Sequence, residues 1–481
     1  MKNVFITFSI LIAFCSMIHA ETWKQVNSGY IHTMAIKSDG SLWGWGRNMD
    51  GELGNSKTDQ TITEPLLIDD VYEWKYVCGG VGYTLAIQED GSLWSWGRNY
   101  NGCLGDGCEK HRAYPQMISQ DKDWAYVFAG WNTSFAIKEN GELWGWGFNK
   151  NGELCIGNEN DQFEPVRIGD ESNWVTIDKG YLHIVALKED GTIWGWGYTD
   201  VGQLGLGYFD TYYHPMTQIG NDDDWVDIKA GFQFTIALKE DGSIWGWGAN
   251  NAGQIGLGAF TNFAFSPRQI GYDNDWVAIE AGTLFSFAVK EDGSLWGWGA
   301  NTFGVLGDGT STKYRYYPAK SNDDHFWTQL SASTGYLSTD DYIYGYSLMA
   351  LKDPADCICG SGDNYFGQLG NGTKDDINKI SCGTGVLTSV VSAEYQNLNM
   401  LCKPNPFSQF QTTNYELRQA GHVTLKVLDM LGNEVSTLVD GFMPAGRHEA
   451  RFDAAGLPEG MYFLKLQAGG EVVTKKVIYI K

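Results

Sequence analysis

The chain has 481 residues and a formal net charge of −24, from 58 acidic and 34 basic side chains. Neutralising a phosphate backbone takes clustered Lys and Arg, so nucleic acid is excluded as the expected partner. Aromatic residues make up 14 % of the chain and 61 residues are glycine, nearly twice the ordinary ~7 % share. This is the composition of a packed, glycine-punctuated globular protein and not of a disordered acidic chain.

Lys2 precedes an apolar run from Val4 to Phe14, followed by Cys15-Ser16-Met17-Ile18-His19-Ala20. A basic start, a short apolar core and a small terminal residue predict a signal peptide over residues 1–20, cleaved before Glu21. The run is shorter than the roughly 20 residues that span a bilayer, so no transmembrane segment is expected in the mature chain. Eight cysteines follow it. Export permits disulfides, but the sequence does not choose their pairing. Cys357 and Cys359 with Cys382 are candidates to staple a hairpin, and Cys103 with Cys108 to close a loop. No C-x2-C pair is present, and no metal site is expected.

From there the chain repeats. Trp43-Gly44-Trp45-Gly46 recurs as Trp94-Ser95-Trp96-Gly97 and as intact WGWG from Trp144, Trp194, Trp245 and Trp296, every 50 or 51 residues. One further tryptophan stands upstream of each copy, at Trp23, Trp74, Trp124, Trp174, Trp225 and Trp276. Trp327 opens a seventh copy, with Cys359-Gly360-Ser361-Gly362 in place of WGWG. Asp39-Gly40 and its equivalents, between extended runs, predict two-residue type I′ hairpins. The alternation in WGWG puts both tryptophans on one face and both glycines on the other, where a neighbouring sheet can approach. Repeats of about 50 residues with roughly four short strands predict a β-propeller of seven blades.

The pattern Gly29-x-x-His32-Thr33-x-Ala35-Ile36, Asp39-Gly40, Trp45-Gly46-x-Asn48-x-x-Gly51-x-Leu53-Gly54 resembles the repeat of the regulator of chromosome condensation family. The resemblance covers residues 21–381 and implies a seven-bladed propeller. Beyond it, Ser381-Cys382-Gly383 and Leu387-Thr388 faintly echo Cys78-Gly79 and Tyr83-Thr84, which raises a half-repeat closing the ring.

The composition then changes. Residues 404–481 carry eight basic and eight acidic side chains, so the acidity resides upstream. Short alternating runs, such as Val423 to Leu428 and Tyr462 to Leu466, separated by Gly and Asn turns, predict a small immunoglobulin-like β-sandwich. The expected fold class is therefore all-β. It comprises a propeller over 21–397, a linker over 398–403 and a sandwich over 404–481. Pro404-Asn405-Pro406-Phe407, Asp429-Met430-Leu431-Gly432, Phe452-Asp453, Leu457-x-x-Gly460-Met461-Tyr462 and the Lys475-Lys476 stretch closely resemble the type A sorting domain of the type IX secretion system. That resemblance implies export to the medium or outer cell surface, with the type IX machinery as a partner.

No H-E-x-x-H, G-x-S-x-G, P-loop or EF-hand pattern is present, so neither catalysis nor a cofactor is expected. Asp222-Asp223-Asp224 and Asp323-Asp324 precede blade-opening tryptophans and read as solvated turns rather than a catalytic dyad. His32 and His183 share a repeat position with Tyr83, Thr133, Phe234 and Phe285, which is the tolerance of a packing site and not of a metal ligand.

Alternate turns of a meander lie at opposite ends, so the Gly-x-x loops and the loops after Leu-Gly share the end opposite the Asp-Gly turns. Trp131, at the second end, is the one tryptophan of 20 outside the repeat register. Its equivalents include Tyr30, Tyr181 and Phe232. Aromatic residues also fill the loops of three successive copies: Tyr208, Phe209, Tyr212 and Tyr213; Phe260, Phe263 and Phe265; Tyr314, Tyr316 and Tyr317. Clustered aromatics with no core duty mark an interaction surface, unless the loops fold over one another. The expected binding residues are Tyr30, Trp131, Tyr181, Phe232, Tyr208, Tyr212, Tyr213, Phe263 and Tyr316, and the expected partner is an extracellular protein. A secreted bacterial β-lactamase-inhibitory propeller of similar repeat pattern supports protein binding as a use. A carbohydrate-binding adhesin is the alternative, since aromatic platforms also suit sugars. Guanine-nucleotide exchange, as in the eukaryotic family member that acts on the small GTPase Ran, is a third reading, which export opposes.

Overall fold

A computed structural model describes residues 22–258, 261–322, 324, 326–335, 345–353, 357–383, 400–403, 407–417, 421–429, 433–444, 446–468 and 471–479. The signal peptide, Phe260 and Pro404-Asn405-Pro406 lie outside them. The chain divides into two compact units, at residues 386 and 387.

The first unit is a ring of seven four-stranded antiparallel sheets, each built from four consecutive strands. Blade 1 runs Trp23–Ser28, His32–Lys37, Leu42–Asn48 and Gln60–Asp69 from inner to outer strand. Trp327–Ala332, Ser347–Lys352, Ile358–Gly362 and Ile377–Gly383 make blade 7 despite its missing tryptophans. Ser381, Cys382 and Gly383 therefore end the outer strand of blade 7 and open no half-repeat; Leu387 and Thr388 lie outside the described residues.

Local chemistry fixes each blade. The Asp-Gly turns are not type I′. In the first, Gly40 N–H donates to Lys37 O at 2.9 Å and Lys37 N–H to Ser41 O at 3.1 Å, making a three-residue loop. Only Gly40, at φ +81°, takes the left-handed conformation, as in a type I turn completed by a glycine bulge. Within this loop the Asp39 carboxylate accepts from Ser41 N–H at 2.9 Å and Ser41 O–H at 2.6 Å.

The tryptophans join one blade to the next. Trp96 Nε1–H donates to Glu52 O at 2.9 Å, Trp146 to Cys103 O at 2.9 Å and Trp196 to Glu153 O at 2.7 Å. Trp45 repeats the contact across the closure, donating to Gln368 O of blade 7 at 2.9 Å. The ring thus closes with the same bond that links blades 1 to 4, whereas the equivalent Nε1 of Trp247 and of Trp298 makes no such bond.

Acidic turn residues have a structural task. Lys239 is largely buried, 4.6 Å from the Trp225 ring centroid and 5.0 Å from that of Trp245. Its ammonium meets Asp222 at 2.7 Å and Asp224 at 2.8 Å. Lys138 with Asp121 and Asp123, and Lys290 with Asp273 and Asp275, repeat the clamp. The carboxylates stay about half exposed, as a solvated turn requires, yet each pair neutralises a lysine held between two indoles.

Cys359 and Cys382 form a disulfide joining the third and outer strands of blade 7. Cys103 and Cys108 do not close a loop; both are free, with their thiols donating to Arg98 O and to the Asp106 carboxylate.

The second unit has a three-stranded sheet, Met400–Lys403, Phe410–Leu417 and Gly446–Asp453, and a four-stranded sheet ordered Glu434–Met443, Gly421–Leu428, Gly460–Ala468 and Glu471–Tyr479. Its core is built from Phe407, Val423, Leu425, Val427, Phe452, Leu464, Leu466 and Val477. Residues 400–403, assigned above to a linker, form a strand because their backbone pairs along Phe410–Leu417.

Candidate binding surface

The loops after the inner strands are tied blade to blade. Tyr30 N–H donates to Gly80 O at 3.2 Å, Val81 to Gly130 O at 3.2 Å, Tyr181 to Phe232 O at 3.0 Å and Phe232 to Thr283 O at 3.2 Å. Arg98 of blade 2 secures the Trp131 loop, donating to Trp131 O at 3.2 Å and Asn132 Oδ1 at 3.0 Å. On this base the rings form a stacked ledge. Trp131 and Tyr181 centroids are 5.6 Å apart at 32°, and Tyr181 and Phe232 are 4.6 Å apart at 20°. Tyr30, Trp131, Tyr181 and Phe232 all line one small cavity of about 40 Å³ beneath the loops.

Exposure separates their tasks. Trp131 is 38 % exposed, the one tryptophan of the chain left so open, while Phe232 is 7 % exposed and lies under Tyr181. Phe232 therefore supports the ledge and is not itself open to a partner. Of the second aromatic set, Tyr208 and Phe209 are in a loop among the described residues. Tyr212 and Tyr213, Phe263 and Tyr316 belong to the outer strands Asp210–Gln218, Phe263–Gln269 and Tyr314–Lys320. The strands begin earlier than the turn residues indicate, because the third strand pairs with the outer strand out to Thr199 and Asp210. Tyr212 is 75 % exposed, and Tyr208 and Phe263 are also open. Tyr213 instead packs against the core shared by blades 3 and 4 and meets Tyr198 edge-on. The ledge stands at the inner loops and this second set at the outer rim of the same end.

Alternate residues of the inner strands line a cavity of about 330 Å³ that sequence reading missed, including Tyr76, Cys78, Asp178, Asp227, Lys229 and Glu280. Lys229 Nζ lies 3.9 Å from Asp227 and 4.0 Å from Glu280. Asp178 accepts from Ala230 N–H at 2.9 Å and Glu280 from Ala332 N–H at 3.1 Å, bonds between neighbouring blades. Burial pushes Glu280 up to about 7, partly countered by Lys229, and Asp178 and Asp227 move upward for the same reason. The second and fourth residues after each blade-opening tryptophan carry the signal that would have revealed the cavity.

His32 and His183 are buried. Each Nε2 lies 3.1 Å from a threonine hydroxyl of the next blade, Thr84 or Thr235. Those hydroxyls donate onward to Glu52 O and Gln203 O. Each therefore accepts from the imidazole, and Nδ1 carries the lone pair.

Fold and surface define a β-propeller of repeated tryptophan blades with a β-sandwich attached. Residues 39–87, 90–137, 140–187, 190–238, 241–289 and 292–336 match the regulator of chromosome condensation repeat, more than half of the chain, and the chain belongs to that family. Residues 403–481 match the secretion system C-terminal sorting domain. This domain addresses the protein to the type IX machinery, for secretion and the cell surface. Among the described residues no helix is long and apolar enough to cross a membrane.

The ultraviolet-B receptor UVR8 of Arabidopsis thaliana is 32 % identical over 298 residues, 61 % of this chain and 57 % of the receptor. The human E3 ubiquitin-protein ligase HERC2 is 30 % identical over 293 residues, 60 % of this chain and 4 % of the ligase. The chain thus spans less than two thirds of these relatives. Among solved structures, yeast RCC1 (Prp20) bound to Kap60 has a TM-score of 0.62 at 21 % identity, covering 81 % of this chain and 90 % of that one. Human WBSCR16 has a TM-score of 0.61 at 18 % identity, covering 71 % and 93 %. These structures share the fold.

Proposed function

We propose that the exported propeller captures an extracellular protein through the aromatic ledge led by Trp131 and Tyr181. The supporting observation is an indole left 38 % exposed on a hydrogen-bonded base, while the chain's other tryptophans serve the repeat. A rigid aromatic group is an economical anchor, because little conformational freedom is lost when a partner encloses it. The outer-rim residues Tyr208, Tyr212, Phe263 and Tyr316 extend the surface; Tyr30, Phe232 and Tyr213 support it from below.

The test is Trp131→Ala in the full secreted chain. Capture of a specific protein from the culture should weaken at least tenfold, about 1.4 kcal/mol, with the melting midpoint essentially unchanged. A collapsed midpoint would make Trp131 a packing residue. Undiminished capture, or Trp131-dependent binding to a glycan array without any protein captured, would overturn the reading.

A further inference from the structure

Three departures from the repeat meet at one place between blades 3 and 4. Where the other blades end the inner strand with Ser28, Gly79, Ala129, Ala230, Ala281 or Ala332, blade 4 has Lys179. Where blades 1, 2, 4, 5 and 6 put a ring (His32, Tyr83, His183, Phe234 or Phe285), blade 3 has Thr133. The third is Trp131. The missing ring leaves a cleft of about 230 Å³, lined by Trp131, Thr133, Phe148, Glu153, Lys179 and Tyr181. The lysine stem runs over Gly130, where a Cβ would come within 2.5 Å of Lys179 Cδ. It takes part of the space that a ring fills elsewhere, and brings a charge with it.

That charge lacks the close carboxylate its counterparts have. Lys138, Lys188, Lys239 and Lys290 each meet a carboxylate at 2.6–2.7 Å. Among the described residues Lys179 makes no ion pair, and burial brings its ammonium down to about 8, with Glu153 only partly opposing the shift. Glu153 lines the same cleft, but its two oxygens are engaged by Asn151, accepting from its N–H at 3.0 Å and its Nδ2 at 2.7 Å. In blade 1 the equivalent Glu52 pairs with Arg47 at 2.6 Å, but Phe148 stands at that register here. A lysine without an ion-pair contact, in a cleft whose walls are largely aromatic, suits a carboxylate borne on an apolar body. Such a ligand would restore the ion pair and cover the rings in one step.

We infer that this cleft is an acidic-residue subsite: Lys179 receives a carboxylate of the protein partner while Trp131 and Tyr181 enclose the apolar residue beside it. The assignment rests on the binding reading above and adds the partner's chemistry. Charge complementarity carries it, since a lysine without an ion-pair contact in a largely aromatic cleft is an exception in a chain of net charge −24.

The experiment titrates the full chain with N-acetylphenylalanine and, separately, with its uncharged amide, following the Trp131 indole N–H by NMR; Trp131→Phe identifies that signal. The acid should give a saturable shift and bind at least tenfold more tightly than the amide. Lys179→Met, which keeps the stem over Gly130, should remove that preference and Lys179→Arg retain it. Equal binding of acid and amide, an acid preference that survives in Lys179→Met, or no saturable shift at any soluble concentration of the acid would overturn the assignment. Trp131-dependent protein capture is scored separately. If it persists while the acid is not preferred, the subsite fails and the ledge stands. If an acid preference persists and no protein is captured, the binding reading fails and the subsite falls with it as a partner contact.

Discussion

The two buried histidines make the propeller acid-sensitive in a way that can be isolated. Burial lowers both to about 3 from an ordinary value of 6.5, with Arg47 adding to the effect at His32. Protonation would place an N–H on Nδ1, which has no hydrogen-bond partner in either ring. With the folded value below the unfolded one, the unfolded chain binds more protons between them. The histidines' contribution to stability is therefore whole above about pH 6.5 and lost progressively as the pH falls toward about 3. At about pH 5 each costs about 2 kcal/mol relative to neutrality, roughly 4 kcal/mol for the pair.

The perturbation is His32→Phe with His183→Phe. Phe234 and Phe285 already occupy this position in blades 5 and 6, fully buried, and Thr84 and Thr235 keep their donated bonds. Denaturant unfolding at about pH 8 and about pH 5 should show the wild type losing roughly 4 kcal/mol more than the double variant. The upward-shifted carboxylates Asp178, Asp227 and Glu280 act in the opposite direction, but are common to both proteins and cancel in the difference. Equal acid losses would refute the reasoning and show that the imidazoles titrate near their ordinary value in the folded ring.

Lys239→Met keeps the stem between Trp225 and Trp245 but leaves Asp222 and Asp224 facing each other; the loss should be about 1–2 kcal/mol in denaturant melts. Trp45→Ala opens the closure between blades 1 and 7 and should cost about 3–5 kcal/mol, against almost nothing for Trp131→Ala. The sulfurs of Cys357, Cys359 and Cys382 lie within 4.8 Å of one another, so Cys359→Ser should yield a Cys357–Cys382 disulfide in non-reducing peptide maps. Residues 21–386 alone should melt cooperatively like the propeller of the full chain, and without residues 404–481 the propeller should accumulate in the periplasm instead of the medium, read by fractionation.

What the sequence determined by itself was local or periodic. Seven copies, four strands each, tryptophans on one face and a turn at each Asp-Gly are legible because each depends on residues a few positions apart, repeated until chance is excluded. The sorting domain is legible for the same reason, its motifs being contiguous. Contacts between copies were decided by the tertiary structure. Trp131 and Tyr181 were identifiable as exceptions or neighbours in the repeat, but whether Phe232 and Tyr213 face solvent depends on what the adjoining blade lays over them. Lys179 attracts notice only when aligned against six small residues, and its cleft exists only because Thr133, on the previous blade, omits a ring. The inner-strand carboxylates converge because seven strands some 50 residues apart are brought around one axis. Cys382 pairs with Cys359 and not Cys357 because strand register places it opposite the former. Register and ring closure are properties of the assembled sheet, and no single repeat contains them.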